Sequence, residues 1–421
     1  MKKLHLALGL TLLASASVFA QKPAIEFNAR GIVALSDADM AASANVDGKL
    51  MKEVGSRDLI STFTLPLNDR AQEIGSTVVS NSSVTSTKNM VLSSDGRIAF
   101  VIENRTSVPD SIKNIKSTND LPAGAKMYVV DLSNPAKPAV KFGSPIGKLP
   151  MAIDMLQSQL VIVGSELDKE IQLVEVDGTG RPTRVVNTAL KMPGVRAIDV
   201  AWHPGGEFIA VILEETKSVM LFKARRNPQG KIAAFDPFGK PIVVGTKPTS
   251  GKFTADGNFF VVSDLKDAAA AGELLVVQFN VADAAAEHKI VSQAAVGVSP
   301  EGFDISADGS MVVSANMNKS YFPWESADLT RKSSLSLLSL GKDGKIAKVA
   351  DYDFDGIRPE SVIFDKTGDN IAVSAFEYFD FGKRNGGIEF YKVNKGASPS
   401  LTKSAIKVNV ARGCHALKMI P

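Results

Sequence analysis

The sequence predicts an all-β fold, a seven-bladed β-propeller of four-stranded antiparallel blades whose ring is closed by pairing the N- and C-terminal strands. Three observations predict it. One strand–turn–strand pattern recurs along the chain, its turn glycines return at a spacing of about 50 residues, and its last copy stops after a single strand.

The pattern is a half-alternating strand, a turn built on Asp-Gly or a relative of it, and then a nearly continuous apolar strand. It is legible at 90–103, 200–214, 252–264, 303–316 and 362–376, with a weaker copy at 152–166. The turn glycines Gly96, Gly206, Gly257, Gly309 and Gly368 are separated by 110, 51, 52 and 59 residues. The first interval holds two blades, the second being the weak copy. Asp-Gly supplies the positive φ expected of a two-residue hairpin. The strand after it lacks polar alternation because neighbouring blades cover both of its faces. Each unit continues into a third apolar segment, as at 126–132, 218–224, 273–280, 334–340 and 387–393, and a short fourth such as 240–245. Sheets of this kind bury one another when stacked radially.

The final copy, 408–421, looks like the first strand of a seventh blade and then ends. The missing strands are available at 31–35, 59–67 and 74–80, ahead of the first full repeat. Pairing the two ends removes exposed sheet edges, which otherwise invite aggregation.

The segments PEGFDISADGSMVVSANM from Pro300 and PESVIFDKTGDNIAVSAF from Pro359 resemble the repeats of the lactonase-like, or YVTN-repeat, seven-bladed propellers of bacteria. The resemblance covers nearly all of the mature chain and is specific for architecture. Its members include lactone hydrolases and ring-forming isomerases, so the fold implies no single function. The histidine used by some ring-forming members has no match at the entrance to the second blade, where Lys148 and Pro150 stand.

At the N-terminus, Met1, Lys2 and Lys3 precede an apolar run from Leu4 to Leu13 and a small-residue segment ending at Ala20, the pattern of a secretory signal peptide cleaved after Ala20. The expected organisation is therefore a leader, 1–20, and one propeller domain, 21–421, in which 21–85 completes the last blade. No Cys stands at the cleavage point, which argues against a lipid anchor, and no stretch approaches the roughly 20 apolar residues of a membrane span. The expected location is the periplasm or the medium. With Cys414 the only cysteine, the mature chain carries no intrachain disulfide. The formal charge of +3 includes both leader lysines, which leaves +1 on the mature side chains and gives no electrostatic reason to expect nucleic acid. A monomer is expected.

In a propeller, the loops entering the first strands and those joining second to third strands share one face. Three of the latter are long, 104–125, 317–332 and 378–386, and long loops on a rigid scaffold often carry function. The second strands end in Glu103, Asp264 and Asn316, each seven residues after its turn glycine, with Glu166, Glu214 and Glu377 near the corresponding place. Lys148, Arg196, Lys247, Arg358 and Arg412 lie in the loops entering first strands. Such a mixed-charge mouth suits a small polar ligand or a polar protein surface, and the same charges equally suit pairing across blades. Tyr321, Phe322, Pro323 and Trp324, with Tyr378, Phe379 and Phe381, form aromatic loops that either stack on a ligand or pin the loops. The ligand-contacting candidates are Glu103, Arg196, Glu214, Asp264, Asn316, Tyr321, Trp324, Arg358, Glu377 and Arg412.

Of the histidines, His203 sits in a turn on the opposite face, His288 in a solvated connection, and His415 beside Cys414 on an inner strand. No pair has zinc-ligand spacing, Cys414 reads as a small buried residue, and no cofactor is expected. Calcium would find carboxylate oxygens at the mouth but no dense Asp-x-Asp loop. A redox propeller would need Trp-rich motifs or CxxCH, and both are missing from the sequence. Two functional readings stay open. One is a non-catalytic periplasmic propeller that binds a polar small ligand or a protein on its loop-rich face. The other, implied by the resemblance, is a hydrolase or isomerase of a sugar lactone or related ring, with Arg196 and Glu214, or Arg358 and Glu360, as cation and acid–base candidates.

Overall fold

The Asp-Gly turns set the geometry of the regular blades. In the first, Ser93 N–H bonds the Ile98 carbonyl (2.9 Å), Asp95 accepts the Arg97 N–H (3.1 Å), and Gly96 closes the turn at φ +68°. Asp256 and Asp308 repeat the arrangement. These are four-residue loops with a left-handed residue near the end, not the two-residue hairpins expected, because the Asp side chain already satisfies the inner N–H. Only the weak second copy is a true two-residue turn: Leu156 pairs with Gln159, and Gln157 takes φ +56° in place of glycine.

The computed structural model describes residues 27–52, 56–67, 73–82, 88–267, 270–285, 287–380 and 384–421. The expected leader and Phe381 lie outside them. Seven four-stranded antiparallel sheets form the propeller. Their innermost strands are Met90–Leu92, Pro150–Leu156, Ala197–Trp202, Pro248–Phe253, Pro300–Ile305, Val362–Phe364 and Cys414–Ile420, and each touches the next around a closed ring. The second strands Phe208–Leu213, Phe260–Asp264 and Met311–Asn316 are buried at every position, whereas the outer strands Ala139–Pro145 and Pro182–Thr188 alternate exposed and half-buried residues. The difference follows from packing, since second strands are covered on both faces.

The seventh blade is composite. Cys414–Ile420 is its inner strand, followed outward by Gly31–Ser36, Leu59–Thr64 and Gly75–Val78, with Gly31 opposite Ile420. Residues 408–411, expected to begin it, instead end the outer strand Ser400–Ala411 of the sixth blade; Gly413, at φ +88°, turns the chain inward between the two. Apolar residues seal the closure: Val33, Leu35 and Ile60 pack with Met90, Ala99 and Val101 of the first blade. In the third blade, Ile232–Pro237 is the outer strand, and Ile242–Val243, expected in that role, pairs lower down on Ser218–Arg226.

Candidate functional site

The two ends of the ring differ. On the loop-rich face, the segment 37–58 joins the second and third strands of the composite blade and carries the short helix Ala44–Asp47. It is a fourth long loop, and it lies over the ends of the others. Met40, Ala42, Ala44 and Leu50 pack with Leu121, Ile357 and Phe376, with Tyr321 and Phe379 at the edge. The loops form an apolar cap.

The mouth charges hold this cap. Arg358, only 2% exposed, donates from Nε to Glu360 (2.8 Å) and from a terminal nitrogen to the Ala42 carbonyl (3.2 Å), and its guanidinium lies 5.1 Å from the Phe376 ring centroid. Arg412 donates to the Met40 (2.9 Å) and Ala38 carbonyls. Glu377 stands beside Arg412, its carboxyl raised by burial against the pull of that cation. Asp264 is fully buried and accepts the backbone N–H groups of Thr246 (3.0 Å) and Lys247 (2.6 Å). Asn316 bonds Ser334 and Ser336, and Glu103 accepts the Tyr128 hydroxyl. Arg196 is half-exposed and pairs with Glu214 (2.6 Å) and Glu215 (2.8 Å). Trp324 is 48% exposed, with Arg331 over its ring and Phe379 beside it. The structure thus brings Arg358, Glu360, Glu377 and Arg412 together under the cap, and leaves Arg196, Glu214 and Trp324 outside it.

Three carboxylates, Asp37, Asp39 and Asp58, place oxygens within 4.8 Å of one another beneath the same loop. Lys52 pairs with Asp39 at 2.5 Å, and Asp58 accepts the Ala38 and Asn81 N–H groups. Burial, with Asp37 and Asp39 beside it, holds the Asp58 carboxyl well above its ordinary range, against the pull of the two N–H groups it accepts. These bonds serve the fold of segment 37–58.

His415 is buried with Nε2 2.7 Å from Asn81 Oδ1; burial and the nearby Arg358 push it down to about 3, so it stays neutral. Cys414 is buried and its thiol raised, chiefly by burial and then by Glu360, which makes it a poor nucleophile. His203 accepts the Gly205 N–H within its turn. His288, expected in solvent, is 9% exposed: it takes the Asn280 N–H on Nδ1 and packs edge-on against Phe279.

At the opposite end, among the short turns, the axis opens into a cavity of 420 Å³. Its walls carry Asp154, Lys252, Asp304 and Lys418 from the inner strands and Lys88 and Glu360 from just ahead of them, and its rim carries Trp202 and Pro204. The aspartates of the inner strands act as struts. Asp154 accepts the Trp202 N–H (2.7 Å), Asp199 the Gly251 N–H (2.7 Å) and Asp304 the Phe364 N–H (2.8 Å), each reaching the next blade. Lys88 crosses the axis to Asp199 (2.9 Å), and Lys252 pairs with Asp304. Lys418 has no ion pair or hydrogen bond among the described residues, and its ammonium is lowered by burial and then by Lys252. Lys252 is raised, because Asp304 outweighs its own desolvation, and its side chain is 49% exposed in the open cavity. Glu360 joins the cavity to the cap: one oxygen takes Arg358, the other has no hydrogen-bond partner, and burial with Glu301 nearby pushes the carboxyl up to about 7 against Arg358.

The sequence reading missed the three cavity lysines and Asp154, Asp199 and Asp304. The available signal was positional: Lys252 and Asp304 both stand five residues before their turn glycines, an inner-strand place held by Val91, Ala201 and Ile363 in other repeats.

No family model and no curated protein sequence matches the chain. Among solved structures, it is similar to a periplasmic gluconolactonase of Pseudomonas aeruginosa, with 12% identity, a TM-score of 0.62, and coverage of 93% of this chain and 99% of that one. A protein of Bacteroides uniformis described as a candidate 6-phosphogluconolactonase matches at 11% identity and a TM-score of 0.59, over 92% of this chain and 99% of that one. A hypothetical selenium-binding protein of Sulfolobus tokodaii matches at 10% identity and a TM-score of 0.60, over 93% and 94%. At such identities the likeness is one of fold, the seven-bladed β-propeller.

Proposed function

We propose that the protein is an exported propeller that binds a small polyhydroxylated anion, of the sugar-acid class, in the central cavity among its short turns. The observation that carries the reading is the division of labour among the cavity charges. Three lysines face the space; Asp154, Asp199 and Asp304 each accept a backbone N–H of a neighbouring blade, Asp199 and Asp304 also pair with Lys88 and Lys252, and three cations remain on the lining. The cavity therefore offers ammonium groups to a ligand in a partly enclosed setting, where charge-assisted hydrogen bonds are strong. Two solved structures of the same fold bear names of enzymes acting on sugar-acid lactones, which fits this ligand class.

Calorimetric titration with gluconate, 6-phosphogluconate and uncharged glucose tests the reading. Tight binding of an anion, weakened about tenfold or more by Lys252→Met, is expected, since loss of one charge-assisted bond is worth roughly 1.5–3 kcal/mol. Equal affinity for glucose and gluconate, or anion binding indifferent to Lys252→Met, overturns it. Export is tested by the N-terminal sequence of protein recovered from its native host, expected to begin at Gln21.

A second reading, ring opening of a bound lactone, is favoured by Glu360. A carboxyl held near 7 with one oxygen unbonded is suited to take a proton from an attacking water, and Lys252 would face the oxyanion. Arg358 would hold Glu360 rather than touch substrate, since it is bonded to the cap. Turnover of glucono-1,5-lactone that survives Glu360→Gln unchanged counts against this reading.

A further inference from the structure

The geometry points to Lys418 as a carbonyl-reactive amine that forms an imine with a small α-oxo carboxylate held in the central cavity. Three lysines line this space, and they are not equivalent. Lys88 is committed to Asp199 and to the Val200 and Gly251 carbonyls. Lys252 is committed to Asp304. The carboxylate left for Lys418 is Asp154, whose two oxygens already accept the Met155 (2.8 Å) and Trp202 (2.7 Å) N–H groups.

The backbone of Lys418 is fixed in place. It stands on the closing strand Cys414–Ile420, opposite Val33, with the buried Leu417 before it and Ile420 after it. An amine among other cations, partly removed from water and without a carboxylate of its own, is the standard setting for a nucleophilic lysine. Burial and the positive charges of Lys252 and Lys88 all act to favour its neutral form, against Asp154 and Asp304.

The arrangement suits an α-oxo acid because such a molecule carries its two functions on adjacent carbons. Its carboxylate matches the ammonium of Lys252, which Asp304 keeps charged. Its carbonyl carbon is then presented to the one amine with nucleophilic character. The lone pair of neutral Lys418 Nζ forms a C–N bond to that carbon. The carbonyl oxygen, with both amine hydrogens, leaves as water, giving the imine. Nothing is oxidised or reduced, and no further reactant is required.

This inference shares the cavity with the binding reading but reads a covalent bond at one residue, so either can fail alone. The test uses the full chain, with glyoxylate or pyruvate as probe and cyanoborohydride to reduce any imine to a stable amine, followed by peptide mapping. Lys418 is expected to be labelled severalfold faster than any surface lysine near neutral pH, because a lowered amine holds more of its neutral form there. Labelling should rise with pH at a lower pH than for the surface lysines, and Lys418→Arg should remove the fast adduct while leaving the slow ones. Because the map of the wild-type chain is decisive alone, poor folding of the variant does not rescue the idea. Adducts spread over lysines in proportion to exposure, or no adduct at Lys418 with either probe, overturn it.

Discussion

Lys88, just ahead of the inner strand of the first blade, reaches across the axis and meets the carboxylate of Asp199 on the third blade at 2.9 Å, with the Asp199 side chain fully buried. Most contacts in a propeller run between adjacent blades, so this pair ties together parts of the ring that the sheets do not connect. Breaking a buried pair by removing one member costs about 3–5 kcal/mol. Asp199→Ala also strands the Gly251 N–H. A clear drop in denaturation midpoint is expected for Asp199→Ala, and Lys88→Met with Asp199→Ala should lose less than the two single losses together. Additive losses would refute the coupling.

Glu360 makes stability depend on pH in a stated direction. Its folded value of about 7 lies above the ordinary 4.5, so between those limits the folded chain keeps a proton that the unfolded chain has released. Its contribution is present below about pH 4.5 and is lost as pH rises through 7. His415 has the opposite sign: held at about 3 against 6.5, it contributes above 6.5 and is lost as pH falls. Melting temperatures of wild type and Glu360→Gln, compared from about pH 5 to about pH 8, should diverge in slope, with the variant falling less steeply as pH rises. Parallel slopes would mean that Glu360 titrates normally.

Arg412 should govern the cap more than the ring. Removing its bonds to the Met40 and Ala38 carbonyls in Arg412→Met leaves the sheets intact but frees segment 37–58. Local opening easier by about 1.4 kcal/mol gives about tenfold faster cleavage. Limited proteolysis with mapped cut sites reads this, and cuts concentrated elsewhere would contradict it.

Cys414 should be silent in the native protein. Fully buried, with its thiolate disfavoured by its surroundings, it is expected to resist iodoacetamide at mildly alkaline pH and to react once denatured. Rapid alkylation of the folded chain would show that the closing strand frays.

The ring was legible because its signals are local and repeated: a covered second strand recurs in each regular blade, with a turn Gly in all but the second and a turn Asp in the first, fourth, fifth and sixth. The composite blade was legible from an incomplete last copy at 408–421 and three unclaimed strands near the start, although the position of its inner strand, Cys414–Ile420, was not. The functional residues were harder to find for a physical reason. Arg358 and Arg412 read as mouth charges, but their partners are backbone carbonyls of segment 37–58, and a carbonyl leaves no trace in a sequence. Lys88, Lys252 and Lys418 each look like one isolated polar residue on or beside an inner strand. Only the closed ring, which sets strands from distant parts of the chain around one axis, makes them a group.

The pairing of Gly31 with Ile420 has a consequence for synthesis. A ribosome emits Gly31–Ser36 long before the strand that lies inside it, Cys414–Ile420. Until 414–420 has been made, the nascent chain holds an unmatched strand edge and an open wedge beside the first blade, so the six regular blades are complete before the ring can close.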